Sequence, residues 1–119
     1  MATSLLLALV FSLGSWAFTH RRLSLHAERL QRLLELKPTA DRVQAGLEAE
    51  GTQLLGRATA QTELRTLAGR WAPDQKAAIL SKGERFPDTR FFAAGEILYV
   101  IFFDEGGVMR DFVCLDSSG

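Results

Sequence analysis

An uncharged apolar run near the N-terminus constrains this chain more than any other feature. Residues 2–19 read ATSLLLALVFSLGSWAFT, eighteen residues without a charge. As an α-helix this run is about 27 Å long, close to the hydrocarbon thickness of a bilayer, about 30 Å. Its polar side chains are serines and threonines, which a membrane tolerates. We therefore predict a membrane anchor over residues 1–20 that contacts lipid through residues 2–19.

Aromatic and basic residues mark the end of this predicted span. Trp16 and Phe18 fall where aromatic side chains collect at the membrane interface, and two arginines follow closely. The residues expected to hold the anchor are Leu5, Leu9, Leu13, Trp16, Arg21 and Arg22. Because positive charge tends to stay on the cytoplasmic side, the bias favours a single-pass protein with a cytoplasmic domain. The exported side stays open.

A cleaved signal peptide is the alternative to a permanent anchor. Ser15-Trp16-Ala17 resembles a small-x-small cleavage site, and the apolar core has a suitable length. Against cleavage, no basic residue precedes the apolar run, and tryptophan is an unfavourable middle residue. The sequence therefore favours the anchor and leaves cleavage open.

A leucine stripe predicts a juxtamembrane amphipathic helix over residues 21–38. The stripe consists of Leu23, Ala27, Leu30 and Leu34, at spacings that share one face of a helix. Pro38 disfavours helical geometry at Lys37, so the helix is expected to stop there. The stripe predicts packing against the chain's own domain, and a short dimerising coiled coil is the alternative.

Residues 39–119 are predicted to form one small α+β domain that begins with two or three short helices. The first helix starts at Thr39, with Val43 and Leu47 facing inward. The second runs from about Thr59 to Ala68, capped by Thr59 or Thr62. The third covers residues 74–83; its expected buried residues are Ala77, Ala78 and either Ile79 or Leu80.

A three-stranded antiparallel meander is predicted to follow, with strands near residues 89–93, 96–104 and 108–116. The middle strand is apolar on both faces, with Ile97, Tyr99, Ile101 and Phe103 alternating with Leu98, Val100 and Phe102. Helices cover one face of a small meander well, so the other face needs the linker helix, another chain or the membrane surface. The interaction surface predicted for a protein partner or for self-association consists of Tyr99, Ile101, Phe103, Leu30 and Leu34.

The second helix and the meander together resemble a class of small bacterial envelope modules. The resemblance rests on Thr62-Glu63-Leu64-Arg65-Thr66-Leu67-Ala68-Gly69, on Pro73-Asp74, and on the run from Leu98 to Asp104-Glu105-Gly106-Gly107-Val108. The chain looks like the BamE-like (SmpA/OmlA) and β-lactamase-inhibitor-like ααβββ modules over about residues 39–115, without the lipid-attached cysteine of BamE-type proteins. The resemblance implies a non-enzymatic scaffold or binding module at a bacterial membrane, and it assigns no functional residues.

The remaining sequence argues against most chemistries. Fourteen basic and fourteen acidic residues cancel, and no basic stripe with interleaved aromatics indicates nucleic-acid binding. His20 and His26 would point about 120° apart on a helix and cannot chelate one ion. Cys114, the single cysteine, is expected to be a core residue. We predict no catalytic, cofactor-binding or metal site, and no enzyme.

The function predicted from the sequence is a membrane-anchored protein–protein interaction or scaffold module. The alternative is an exported or sensory domain that binds a small ligand behind a signal peptide. Its pocket would lie between Trp71, Phe86, Phe91 and the sheet, although aromatic side chains in such positions more often fill a core.

Overall fold

The computed structural model describes residues 23–116. In that part of the chain, α1 covers residues 23–35, followed by α2 (Ala40–Ala49), β1 (Gln53–Ala58), α3 (Gln61–Ala68), α4 (Pro73–Gly83), β2 (Asp88–Ala94), β3 (Ile97–Phe103) and β4 (Met109–Asp116). The predicted α+β class is confirmed. The predicted anchor and its side chains lie outside the described residues, and among residues 23–116 no helix has the length and hydropathy of a membrane span.

The strands form one antiparallel sheet in the order β1-β2-β3-β4. The predicted meander of β2, β3 and β4 is present, and Gly107 takes a positive φ of 76° in the β3–β4 turn. The predicted number of three strands is wrong, because β1 pairs with the free edge of β2. The sequence of β1 does not indicate a strand, because it contains no β-branched or aromatic residue. In the structure its pairing with β2 shifts register between Leu54 and Gly56.

Helices cover both faces of the sheet, which explains why β3 is apolar on both and why all seven of its residues are buried. We call the two covers the α1–α2 layer and the α3–α4 layer. Buried under the α1–α2 layer are Leu30, Ala40, Val43, Leu47, Phe92, Ile97, Tyr99, Ile101, Phe103 and Met109. Buried under the α3–α4 layer are Ala58, Leu64, Ala68, Ile79, Phe91, Leu98, Val100 and Phe102.

The linker helix α1 is part of the folded core. Leu30 is fully buried, and Leu23 and Leu34 pack against the same cluster. The helix stops before Pro38, and Lys37 takes a positive φ of 49° as the chain turns into α2. The face of the sheet that needed a cover is therefore covered by the chain's own linker.

The short helices differ from their predictions in detail. Thr39 holds the N-cap position of α2 without a side-chain hydrogen bond. The predicted caps of α3 are wrong, since the helix begins after Ala60. The predicted burial of Ala77 and Ala78 is also wrong: both are exposed, because α4 faces the sheet through Ile79 and Gly83, four residues apart.

Backbone contacts of the α1–α2 connection fix the direction of α1 across the sheet. The Met109 N–H donates to the Pro38 carbonyl, and the Ala40 N–H donates to the Gly107 carbonyl. The end of α1 therefore lies beside the β3–β4 turn, which we call the hairpin end of the sheet. The start of α1 points toward the opposite end, where β2 turns into β3.

Candidate functional site

The residues predicted as an interaction surface fill the core under the α1–α2 layer. Tyr99, Ile101, Phe103 and Leu30 are fully buried, and Leu34 packs against them from α1. The structure brings the five together, as the sequence suggested, but it leaves little of them exposed. In this fold they hold the linker helix on the sheet.

Tyr99 also makes the polar contact at the centre of this layer. Its hydroxyl lies 2.5 Å from His26 Nδ1, so the start of α1 is joined to the middle of β3. Burial raises the pKa of Tyr99, and the neighbouring Arg29 lowers it in part. Burial also raises the pKa of the Cys114 thiol to about 11. The thiol is therefore protonated near neutral pH and a poor nucleophile.

The three aromatic residues proposed to line a ligand pocket pack against the other layer. Phe91 is 3% exposed, and Trp71 and Phe86 lie against the cluster around it. The Trp71 indole N–H is buried without a hydrogen-bond partner among the described residues. Of the three, Phe86 borders an opening, at the hairpin end of the sheet.

The hairpin end carries an opening lined mainly by polar residues, a cleft of about 670 Å³ that we call the hairpin-end cleft. Four segments meet there: the α1–α2 connection, the end of β1, the start of β2 and the β3–β4 turn. Its lining residues are Thr39, Ala40, Asp41, Arg57, Thr59, Pro87, Asp88, Arg90, Asp104, Glu105, Gly106 and Gly107. A second hollow of about 260 Å³, bordered by Phe86, adjoins it at Thr59, Pro87 and Glu105.

An ion-pair network forms the floor of the hairpin-end cleft. Arg57 donates two hydrogen bonds to Asp88, Nε to Oδ1 at 3.1 Å and Nη2 to Oδ2 at 2.8 Å. This hydrogen bonding and the carboxylate charge raise the pKa of Arg57. Arg90 lies 3.6 Å from the same Asp88 oxygen through Nη2. One carboxylate on β2 thus pairs with Arg57 on the adjacent strand β1 and with Arg90 on its own strand.

Arg90 is unusual for a strand residue because it is charged and only 6% exposed. Its Nη1 donates to Gln44 Oε1 at 2.6 Å, and its guanidinium lies 5.5 Å from the centre of the Phe103 ring. Its Nε is buried without a partner among the described residues. Pairing offsets the cost of burying this charge, but a buried ion pair commonly stabilises a fold no more than apolar side chains of the same volume would.

The β3–β4 turn beside the cleft is held by hydrogen bonds to one side chain. Asp104 Oδ1 accepts the N–H groups of Gly106 and Val108 at 2.9 and 3.0 Å. Asp104 thus stabilises the turn, and the exposed Glu105 stands at its tip.

The hairpin-end cleft is lined by polar and charged groups, several of which are already paired. Its strongest donors and acceptors are paired with one another, and the exposed Thr59 hydroxyl has no base in hydrogen-bond contact. Within residues 23–116, no three potential ligands are grouped as a metal site would require. The groups that the cleft presents to a bound molecule are the half-exposed guanidinium of Arg57, several carboxylates and the hydroxyls of Thr39 and Thr59.

Sequence reasoning missed this site. Asp88, Thr89 and Arg90 look like an ordinary polar start of a strand, yet all three are buried. Their burial follows from β1, which covers the edge of β2, and from α2, which reaches over Arg90. The sequence did contain a signal for this burial. Three successive polar residues in a strand cannot all face water if both faces of the sheet are covered.

No family model, curated protein or solved structure matches this chain.

Proposed function

We propose that this chain is a single-pass, membrane-anchored, non-enzymatic module that binds a protein partner through the hairpin-end cleft. The observation that carries the proposal is the double role of α1. This helix follows the uncharged run within four residues, and it is also a fixed part of the domain core.

The position of α1 supports a short connection between the proposed anchor and the domain. From Thr19 to Leu23 the chain spans at most about 14 Å, even fully extended. Leu30 is buried under the layer that α1 helps to form, and His26 contacts Tyr99. An anchor built in this way holds the domain close to the bilayer in a restricted orientation, as suits a scaffold or adaptor.

The hairpin-end cleft supports a binding role because its polar network is costly for the fold alone. Buried charged groups that are not needed for stability are common at sites of recognition, where they fix the orientation of a partner. The cleft also lies at the end of the sheet away from the start of α1, so the anchor leaves it accessible. The partner is bound by hydrogen bonds and charge, since apolar side chains are few in the lining.

The order of elements supports the resemblance stated above over part of its span. From α3 to β4 the chain runs helix, helix, strand, strand, strand, which is the ααβββ order, whereas α2 and β1 precede it and add a helix and a strand to that order. We propose on this basis a bacterial envelope module, with the domain on the cytoplasmic side according to the arginine bias. A reporter fused after Gly119 and active on one side of the membrane tests the sidedness.

Site-specific photo-crosslinking in living cells tests the partner. A crosslinking amino acid at Glu105, beside the cleft, is compared with one at Ala78, exposed on α4. We expect a distinct adduct from position 105 that is absent at 78 and weakened by Arg57→Ala, which leaves Arg90 to pair with Asp88. Equal adducts at both positions, or none, contradict the cleft as a binding site. An adduct with the mass of two copies identifies self-association.

Deletion of residues 2–19 tests the anchor separately. The full chain is expected in the membrane fraction and resistant to alkaline extraction, whereas the deleted chain is released. A full chain that is extracted without detergent contradicts the membrane anchor.

A further inference from the structure

A second opening lies on the outer surface of the α1–α2 layer, along the seam between the two helices. We call it the α1–α2 groove; its volume is about 300 Å³. Its apolar floor and wall are formed by Leu33 from α1, Leu36 from the turn after it, and Val43 and Leu47 from α2. Gly46 leaves it open, because a Cβ atom at this position would meet no atom within 4 Å.

Arginines stand around this groove. Arg29, Arg32 and Arg42 all line it, against a single acidic lining residue, Glu50, which pairs with Arg29. The Arg32 side chain is 78% exposed. Its ion pair with Glu28 on the same helix is long, at 3.9 Å. Arg42 has no ion pair or hydrogen bond among the described residues. The lining therefore carries a net charge of +2, three arginines against one glutamate.

The outer face of α1 continues the same pattern. Leu25 and Leu36 are two of the three large apolar side chains that are well exposed in the described domain, at 60% and 78%. Eleven residues amount to slightly more than three helical turns, and Leu36 directly follows the last residue of α1, so the two leucines point in nearly the same direction. Arg29 and Arg32 fall between them on this face. Leucines flanked by arginines are typical of helices that lie in a membrane interface.

We propose that the α1–α2 groove rests on the anionic phospholipid surface of the membrane that holds the anchor, so that the domain lies on its side. The proposal depends on the anchor in the proposed function. Charge complementarity supports it, since each arginine near an anionic surface strengthens binding about fivefold. Continuity supports it too, because the groove begins on the helix that follows the predicted span.

The position of Leu36 distinguishes this arrangement from an upright one. From Leu23 to Leu36, α1 is about 20 Å long. In an upright domain Leu36 would stand about that far above the bilayer, beyond the screening length of about 8–10 Å. In a domain that lies on its side, Leu36 and all three arginines reach the headgroups, and the hairpin-end cleft opens along the membrane plane.

The test uses the full chain in lipid nanodiscs, either zwitterionic or rich in phosphatidylglycerol. A nitroxide is attached at Leu36→Cys in a Cys114→Ala background, with a control label at Ala78→Cys on the opposite layer. Collisions of each label with oxygen, which concentrates in lipid, are compared with collisions with a water-soluble nickel chelate. In anionic discs we expect the label at position 36 to be shielded from nickel, and the label at 78 to stay accessible.

Charge variants complete the test. Arg32→Glu with Arg42→Glu should reduce the ratio of lipid-bound to lifted domain at least about 25-fold, a fivefold factor for each arginine lost. Arg65→Glu with Arg70→Glu makes the same charge change beside the opposite layer and should leave the label at 36 shielded. Equal exposure of position 36 in both disc types overturns the proposal and would favour a protein in the groove. Equal shielding in both overturns the anionic requirement. A chain that does not enter the discs overturns the anchor instead.

Discussion

The two helical layers cover the same sheet but close over it differently. The α1–α2 layer fills its side with long residues, among them the fully buried Leu30, and its outer seam stays open at Gly46. The α3–α4 layer closes through a small residue, Gly83, where α4 approaches Leu64 and Phe102. A groove thus runs along the α1–α2 seam, whereas α4 fits closely against Leu64 at Gly83, beside the 260 Å³ hollow that both residues line.

The difference follows from how each layer is connected. The α3–α4 layer is local, with both helices lying between β1 and β2 in sequence. The α1–α2 layer takes its first helix from residues 23–35, and these are connected to the sheet through α2 and the backbone contacts at Pro38 and Ala40. The local layer packs α4 closely at Gly83, whereas the layer that includes α1 keeps an open seam at Gly46.

The largest effect is expected from opening each core in turn. Phe102 and Phe103 are adjacent on β3, fully buried, and point into opposite layers. Phe102→Ala and Phe103→Ala should each lower the free energy of unfolding by about 3–5 kcal/mol through lost burial and a cavity. Urea unfolding of the full chain in mild detergent, followed by circular dichroism, measures both. If Phe103→Ala costs less than about 1 kcal/mol, the α1–α2 layer does not cover the sheet in solution.

A pair of glycine substitutions tests the difference in tightness directly. A Cβ at Gly83 would overlap Leu64 Cδ2, so Gly83→Ala should cost about 1–3 kcal/mol through overpacking. Gly46→Ala, in the open seam of α2, should instead stabilise the protein by about 0.5–1 kcal/mol, because alanine favours the helix. The same unfolding assay applies. Equal signs for the two substitutions would contradict the contrast between the layers.

The parts of the fold that could be predicted are those with a strong local pattern. The leucine stripe of α1, the inward Val43 and Leu47 of α2, and the alternation in β3 each repeat with the period of their element. Each of these predictions is confirmed: α1 and α2 bury one face and so show the helical period, whereas β3 is buried on both faces and is continuously apolar. The anchor over residues 1–20 stays a prediction.

The parts that could not be predicted depend on contacts between distant segments. The sequence of β1 is a poor strand, and pairing with β2 makes it one; Gly56 fits because Leu67 of α3 packs at the position of its missing side chain. The hairpin-end cleft is even harder to predict from the sequence. Arg57, Asp88 and Arg90 meet only after β1 has paired with β2, so no spacing in the sequence announces them.

The pH dependence of stability tests how well the α1–α2 layer shields what lies beneath it. Cys114 packs against this layer, and burial raises its pKa from 9.0 to about 11. Between these values the unfolded thiol loses its proton while the folded thiol keeps it, so stability falls as pH rises from about 9 to 11. A loss on the order of 1–2 kcal/mol is expected from this group, allowing for its partial exposure. Cys114→Ala should show a shallower decline over that range, and identical profiles would mean that the thiol is solvated.

The smallest expected effect concerns the polar contact that joins α1 to the sheet. Tyr99→Phe removes the hydroxyl beside His26 and keeps the buried ring, so it should cost about 0.5–1.5 kcal/mol, the usual net value of one hydrogen bond. Thr66→Ala is the control in the other layer. Its hydroxyl donates to the Thr62 carbonyl within the exposed face of α3, and its loss should be close to neutral. Because the contact lies between α1 and β3, Tyr99→Phe should also increase hydrogen exchange in α1 more than in α3 or α4. An equal increase in all three helices would show that the two layers open together. The linker helix would then have no stability separate from that of the rest of the domain.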